Sequence, residues 1–310
     1  MLQYLNILLA DNAVSFCHYD VPTQERTRFI PLETLQKGIR FGMMENLMIQ
    51  FVYPKENLPD GYGEVMESID HFNIKPDGED ADVLVLNDWD FPTEDVDCPI
   101  VLRTMKEKLF ARYAHLKELL SKTSRLNIVI TDVESFTGED FDTYKNILAE
   151  LAKHVEEIYV SGKSTQLNVL TDRIMLSQMN NCGAGDTSIT LAPNGKFYIC
   201  PAFYYDDGDG SVGDLEHGLN IKNRQLYKLE YAPICRRCDA WQCKRCVWLN
   251  RKTTLEVNTP SHEQCILGHL ERNTSRELLQ NIRRHGTFMP DAEINEIDYL
   301  DPFDKKDEWQ

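Results

Sequence analysis

Short apolar runs alternate with amphipathic stretches over the first two-thirds of the chain. LNILLA (5–10) reads as a buried strand, LETLQKGIRFGMME (32–45) carries apolar residues at helical spacing, and LMIQFVY (47–53) reads as a second strand. The alternation continues through strand-like DVLVLN (82–87), helical TMKEKLFARYAHLKELLSK (104–122), strand-like LNIVIT (126–131), helical EDFDTYKNILAELAKH (139–154) and strand-like EEIYVSG (156–162). Helices set between continuous apolar strands predict crossover units on a parallel sheet. The expected fold class is α/β, and the strand count suits a partial β/α barrel better than a doubly wound sheet. PDGED (76–80) and FPTEDVD (91–97) read as acidic surface loops.

The pattern changes after Asn180. From there the chain is short-stranded, rich in Gly and Asp, and carries seven of its nine cysteines. Three parts follow: a β/α domain over 1–180, a small cysteine-rich domain over 181–270, and a C-terminal helix with an acidic tail over 271–310. Within the last part, NTSRELLQNIRRHG (273–286) predicts a helix opened by a Thr274 or Ser275 cap, and the acidic end is expected to fray.

Composition narrows the partners. A chain of 310 residues that is 42% hydrophobic can bury a sizeable core. Its formal net charge of −17 disfavours nucleic acid and anionic membranes, both of which need a positive surface. No apolar run is long enough to span a bilayer, and MLQYLNILLADNAVSFC lacks the basic start and small-residue cleavage site of a signal peptide. A cytoplasmic protein is expected, in a reducing compartment where clustered cysteines point to metal before disulfides.

Four of those cysteines fall within CRRCDAWQCKRC (235–246). The full series is Cys182, Cys200, Cys235, Cys238, Cys243, Cys246 and Cys265, with the central quartet spaced C-x2-C-x4-C-x2-C. Paired C-x2-C turns bring two thiolates to the same side of a tight loop, where one metal centre can take both. Four thiolates suit a tetrahedral zinc or an iron–sulfur cluster. Two closed zinc sites would take eight ligands and would need His262, His269 or the more distant His217 to supply one. Seven thiolates alone fit one closed four-cysteine cluster and a second held by three, leaving one iron open to water or a substrate atom.

The order Cys182, LAPNGKFYICP with Gly195 and Cys200, SVGDLEHG, the quartet and Cys265 resembles the SPASM domain over residues 182–265. That domain is the C-terminal auxiliary-cluster module of radical SAM enzymes that mature ribosomal peptides and proteins. The resemblance implies two 4Fe–4S clusters: Cys182, Cys200 and Cys246 holding the first, and Cys235, Cys238, Cys243 and Cys265 the second. The family quartet usually reads C-x2-C-x5-C-x3-C, so each of the last two spacers here is one residue short. A single zinc on the quartet stands as the alternative.

The first domain also looks like a radical SAM scaffold, with two departures. Where that superfamily carries a glycine-rich GGEP turn, this chain reads VYPKE (52–56), and bulky Val52 and Tyr53 would obstruct close backbone approach to the methionyl group of SAM. The C-x3-C-x2-C loop that binds the catalytic cluster is absent. FCHYDVP (16–22) offers Cys17 alone, which reads as a core or vestigial thiol, and Cys98 lies far away beside Pro99. A degenerate radical SAM scaffold joined to a SPASM-like tail resembles the CXXX repeat peptide maturases, which accompany short ribosomal precursors with repeated cysteines. The function so implied is maturation of a cysteine-containing precursor peptide without SAM cleavage by this chain, alone or beside a partner modification enzyme. The alternative is a non-catalytic peptide-binding adaptor with a zinc-stabilised tail.

Remaining candidates are weaker. DDGDGSVGD (206–214) fails the EF-hand order, GAGD (183–186) is a turn after Cys182 with no P-loop helix behind it, and Asp132 and Glu134 in ITDVESF sit at a strand end where barrels place acid–base groups. Arg236, Arg237, Lys244 and Arg245 make the quartet the most basic stretch, and either fill exposed turns or offset the charge of thiolate-bound iron.

Overall fold

Nine strands form one sheet in the computed structural model, which describes residues 1–23, 25–78, 80–180, 182–206 and 210–304. Glu79 of the PDGED loop, Asn181 at the expected domain boundary, residues 207–209 of the DDGDGSVGD run and residues 305–310 of the acidic end lie outside the described residues. The strands are β1 (Tyr4–Leu8), β2 (Met48–Val52), β3 (His71–Lys75), β4 (Val83–Leu86), β5 (Ile100–Thr104), β6 (Arg125–Ile130), β7 (Gln166–Leu167), β8 (Ser188–Leu191) and β9 (Phe197–Tyr198). Their order is β7-β6-β5-β4-β3-β2-β1-β8-β9. All neighbours pair in parallel except β8 and β9, which are antiparallel. The α/β expectation is met.

Strand β1 is buried on both faces, as central parallel strands are. Leu5 and Ile7 pack with Leu35 and Ile39 of α1 (Leu32–Met44), while Leu8 joins Val52, Ile100 and Leu102 in a second core on the other side. Helix α2 (Tyr62–Met66) precedes β3, and α3 (Lys106–Lys122) follows β5. Helix α4 (Gly138–Val160) is opened by a Thr137–Asp140 capping box and buries Tyr144, Ile147, Leu148, Leu151, Ala152 and Val155 at spacings of three and four.

Two expectations are corrected here. EEIYVSG is not a strand: it finishes α4 and turns at Gly162, because Val155 and Tyr159 continue the helical period and Tyr159 packs its ring 5.0 Å from Phe288. The last long helix does not begin at Thr274 or Ser275. After α5 (Asp172–Met175), α6 (Pro201–Asp206) and α7 (Val247–Thr254), helix α8 runs His262–Arg283 from a Ser261–Gln264 capping box. The Thr274 and Ser275 hydroxyls instead donate to the carbonyls of Leu270 and Glu271, 2.9 and 2.8 Å away, inside the helix.

Helix α8 packs along α4, and Leu267, Leu270 and Leu278 share a core with Trp248 and Leu249 of α7 and with the sheet. The cysteine-rich segment is thereby pressed against the strand ends. Among the described residues, no helix is long and apolar enough to cross a membrane.

Candidate metal centre

The hairpin between β8 and β9 turns on Asn194 and Gly195. Gly195 has φ +78°, its N–H donates to Ala192 O at 2.9 Å, and Ala192 N donates to Lys196 O at 3.0 Å. A side chain would be strained at that φ. The returning strand delivers Cys200 to the start of α6. GAGD forms the anticipated turn, with Thr187 N donating to Gly183 O at 2.7 Å, and leaves Cys182 with its Sγ 3.9 Å from Arg245 O. Cys246 caps α7, its Sγ accepting from Leu249 N at 3.4 Å, and Trp248 Nε1 donates to Asp206 Oδ2 at 3.2 Å, tying α7 to α6.

These contacts gather one group of thiols. Burial, followed by Cys246 and Cys182, pushes the Cys200 thiol well above its ordinary range; burial and then Cys182 raise Cys246. Cys17, distant in sequence, acts on both. A second group comprises Cys235, Cys238, Cys243 and Cys265. Burial pushes Cys235 up to about 11, against Arg245 and helped by Cys238. Burial, Cys235, Cys265 and Cys238 raise Cys243, while burial, Cys235, Asp301 and Cys238 raise Cys265. Electrostatically the thiols sort into two neighbourhoods, Cys182, Cys200 and Cys246 with Cys17 beside them, and Cys235, Cys238, Cys243 and Cys265.

Local sequence explains the second group. Cys238 Sγ accepts from Ala240 N at 3.4 Å, so the C-x2-C turn aims its sulfur inward. Cys265 lies in the first turn of α8, and three residues on, Gly268 leaves room for Cys243: a Cβ there would stand 3.3 Å from its Sγ. Asp239 ties the turn to α8 through a double contact with Arg272, Nε to Oδ1 at 2.6 Å and Nη2 to Oδ2, and to Arg173 at 3.4 Å. Arg173 also lies 4.0 Å over the Trp241 ring. Trp241 and Trp248 therefore brace the tail.

Arg245 is only 1% exposed. Its Nη1 is 3.4 Å from Tyr227 O, and among the described residues its Nε and Nη2 have no hydrogen-bond partner. Leaving donors of a buried guanidinium without acceptors is costly. Its charge acts on Cys235, and its backbone carbonyl lies 3.9 Å from Cys182 Sγ. An anionic thiolate-bound cluster is the chemistry that such a cation answers. The orphaned donors and the all-sulfur donor sets fit an iron–sulfur group. Among the described residues, no three His, Cys, Asp or Glu side chains converge closely enough to hold one ion. With zinc–sulfur bonds of about 2.3 Å, thiolates on one zinc lie roughly 3.8 Å apart.

His269 is the histidine that reaches the thiols, with Nε2 3.4 Å from Cys238 Sγ. Burial, aided by Arg272, lowers its pKa to about 4, so it stays neutral. His262 pairs with Asp301 at 2.5 Å and His217 with Asp214 at 2.9 Å, so both rings are engaged by carboxylates. Asp132 accepts from Lys106 N at 2.9 Å at the start of α3, and Glu134 pairs with Lys252 at 2.7 Å, so both serve as local braces.

Sequence reasoning missed a cavity of about 50 Å³ between the strand ends and the tail, lined by His18, Val133, Cys243, Lys244, Gly268 and Glu271 among others. It has room for a few waters and none for a peptide. Burial lowers His18 to about 4 and raises Glu271 to about 8, the latter against a 2.8 Å hydrogen bond from Tyr144. Lys244 keeps solvent-accessible surface, yet enclosure lowers its pKa. No sequence motif marks these residues, because they meet only through the packing of α8 on the sheet.

No family model matches this chain, and no curated protein matches it. Solved structures do. Native anSMEcpe with bound AdoMet superposes with a TM-score of 0.61 at 14% identity, covering 90% of this chain and 99% of that one. Native anSMEcpe with bound AdoMet and Cp18Cys peptide gives 0.60 at 13% identity over 92% and 100%. Streptococcus suis SuiB bound to precursor peptide SuiA gives 0.50 at 12% identity over 86% and 76%. The likeness is one of fold.

Proposed function

We propose that this chain takes part in maturing a ribosomally synthesised, cysteine-containing precursor peptide, with two 4Fe–4S clusters in the tail and no SAM cleavage of its own. The observation that carries the reading is the sorting of seven cysteines into two thiol groups around the buried, partly unpaired Arg245. Cys182, Cys200 and Cys246 would hold the first cluster, and Cys235, Cys238, Cys243 and Cys265 the second. Such clusters supply electron transfer or a binding position for a substrate sulfur. The chain's own residues do the rest. Neutral His269 can donate an N–H toward Cys238 sulfur, Arg245 offsets negative charge, and Glu271 can hold a proton in the cavity.

Two neighbourhoods of three and four thiols engage all seven cysteines, which favours two clusters over one zinc on the quartet. The peptide partner is supported by fold likeness to anSMEcpe with Cp18Cys peptide and SuiB with SuiA. Those proteins are named as bound to AdoMet or precursor peptide. For this chain, the single cysteine in the loop after β1 and the VYPKE turn argue against SAM chemistry.

The test uses anaerobically purified protein and a labelled peptide with cysteine at every fourth position. Saturable binding that weakens when those cysteines become serine, with no 5′-deoxyadenosine released from SAM under reduction, is the expected result. Binding indifferent to the cysteines, or SAM cleavage by this chain alone, would overturn the reading.

A further inference from the structure

Cys17 reads in the sequence as a core or vestigial thiol, yet the fold brings it to the tail. The loop after β1 folds back over the strand ends: Val14 N donates to Tyr53 O at 2.8 Å and Ser15 Oγ to Tyr19 O at 2.6 Å. Arg103 of β5, itself 9% exposed, fixes the loop from below. Its Nε donates to Cys17 O and its Nη2 to Tyr19 O, each at 2.6 Å, and it pairs with Asp20 at 2.9 Å. Backbone acceptors and an ion pair hold Cys17 at the C-terminal edge of the sheet, where parallel α/β folds place their chemistry.

From the opposite side, the tail meets this loop. Tyr19 stacks on Tyr205 with centroids 5.6 Å apart, and the Tyr205 hydroxyl donates to Ala13 O at 3.5 Å. Tyr205 belongs to α6, which begins one residue after Cys200, and α6 is tied through Asp206 and Trp248 to α7, which begins one residue after Cys246. Cys17, Cys200 and Cys246 are half-buried against the main apolar core, a large core that also includes Cys98. The Cys17 thiol is an electrostatic neighbour of Cys182, Cys200 and Cys246, with Lys244 and Arg103 also within reach. Cys98 supplies the contrast. It is raised by burial, its charged neighbours are Asp82 and Asp97, and no thiol acts on it.

We propose that Cys17 is the fourth ligand of the first cluster, so that eight cysteines hold two closed clusters and the loop after β1 is fastened to the tail through iron. The inference rests on the iron–sulfur reading above. It gives the first cluster no free iron position at rest, which makes electron transfer its resting role. A substrate sulfur would reach that iron only by displacing the Cys17 thiolate.

The experiment compares anaerobically purified wild type, Cys17→Ala and Cys98→Ala by iron and sulfide content and by EPR, before and after mild ferricyanide oxidation. Wild type and Cys98→Ala are expected to hold about eight irons per chain throughout, whereas Cys17→Ala falls toward about seven and gains the signal of an oxidised three-iron cluster. Should Cys17→Ala not fold, wild type alone decides: added cyanide leaves the spectrum of its reduced first cluster unchanged if Cys17 closes it, and perturbs it if an iron is open. Wild type with about eight irons and an identical Cys17→Ala variant, or a cyanide-sensitive wild type, overturns the Cys17 assignment alone. Wild type free of iron overturns the underlying reading and the assignment with it.

Discussion

The sheet half and the cysteine-rich tail hold together by different means. In the sheet, Leu5, Ile7, Leu8, Ile100 and Leu102 are fully buried, and helices α1, α3 and α4 cover the strands with apolar side chains. Between β11 (Gly218–Leu219), the partner of β10 (Gly213–Asp214), and α7, regular structure is limited to three 3-10 turns, at Arg224–Tyr227, Leu229–Tyr231 and Cys235–Arg237. What that region encloses is polar: Arg245 and Gln242 are buried beside the thiols, and Arg272 of α8 reaches in to Asp239. Apolar area can organise the first region through its surface alone. The second has little such area and relies on directed ligand and ion contacts.

The contrast predicts unequal responses. Largest is the effect of chelating iron under anaerobic conditions. The 182–262 segment should lose its order while the sheet persists, so trypsin cleavage at Lys244 and Arg245 rises roughly tenfold or more with little change within 100–130. Limited proteolysis with mass spectrometry reads this, and uniform loss of both regions would erase the distinction.

Next comes Asp239→Ala, which strands the fully buried Arg272 beside Arg173. Asp239 is partly exposed and Arg272 keeps Asn295 O as an acceptor, so the loss should fall below the cost of about 3–5 kcal/mol for a fully buried pair. Denaturation of the iron-loaded protein should show that loss together with reduced iron retention. Leu148→Ala in α4 removes a fully buried side chain and should cost about 2–5 kcal/mol, with iron content unchanged. Separating stability from iron content in this pair of variants is what sharpens the comparison.

A smaller effect lies at the seam. Burial lifts the Glu271 carboxyl from its usual 4.5 to about 8, so the folded state keeps a proton that the unfolded chain releases. The associated stability is complete below pH 4.5 and is lost as pH rises through about 8. Thermal unfolding of wild type should therefore weaken across that window, and Glu271→Gln should flatten the slope while leaving iron content alone.

Much of the sheet was legible because its strands are short apolar runs between helical periods. LNILLA, LMIQFVY, DVLVLN and LNIVIT fall on β1, β2, β4 and β6, and the helical stretches on α1, α3 and α4. HFNIK, which forms β3, gives no strand signal because it carries mostly polar or half-buried residues, and β7 has only two residues. EEIYVSG misled through its β-branched and aromatic content, although the α4 period runs through it. The start signal of α8 is Ser261 with Gln264 three residues on, and Thr274 and Ser275 are cap-type residues that lie inside the helix. In the tail, cysteine spacing indicated which residues matter, and the NG hairpin explained how Cys200 returns. The approach of Cys17 had no local signal, since it depends on Arg103, Tyr19 and Tyr205, which are brought together from three separate elements.

Metal content of protein purified under strict exclusion of oxygen tests the central claim most directly. Two clusters require about eight irons and about eight sulfides per chain with zinc near zero. About one zinc per chain with iron near zero would contradict the account and leave a zinc-folded tail in its place.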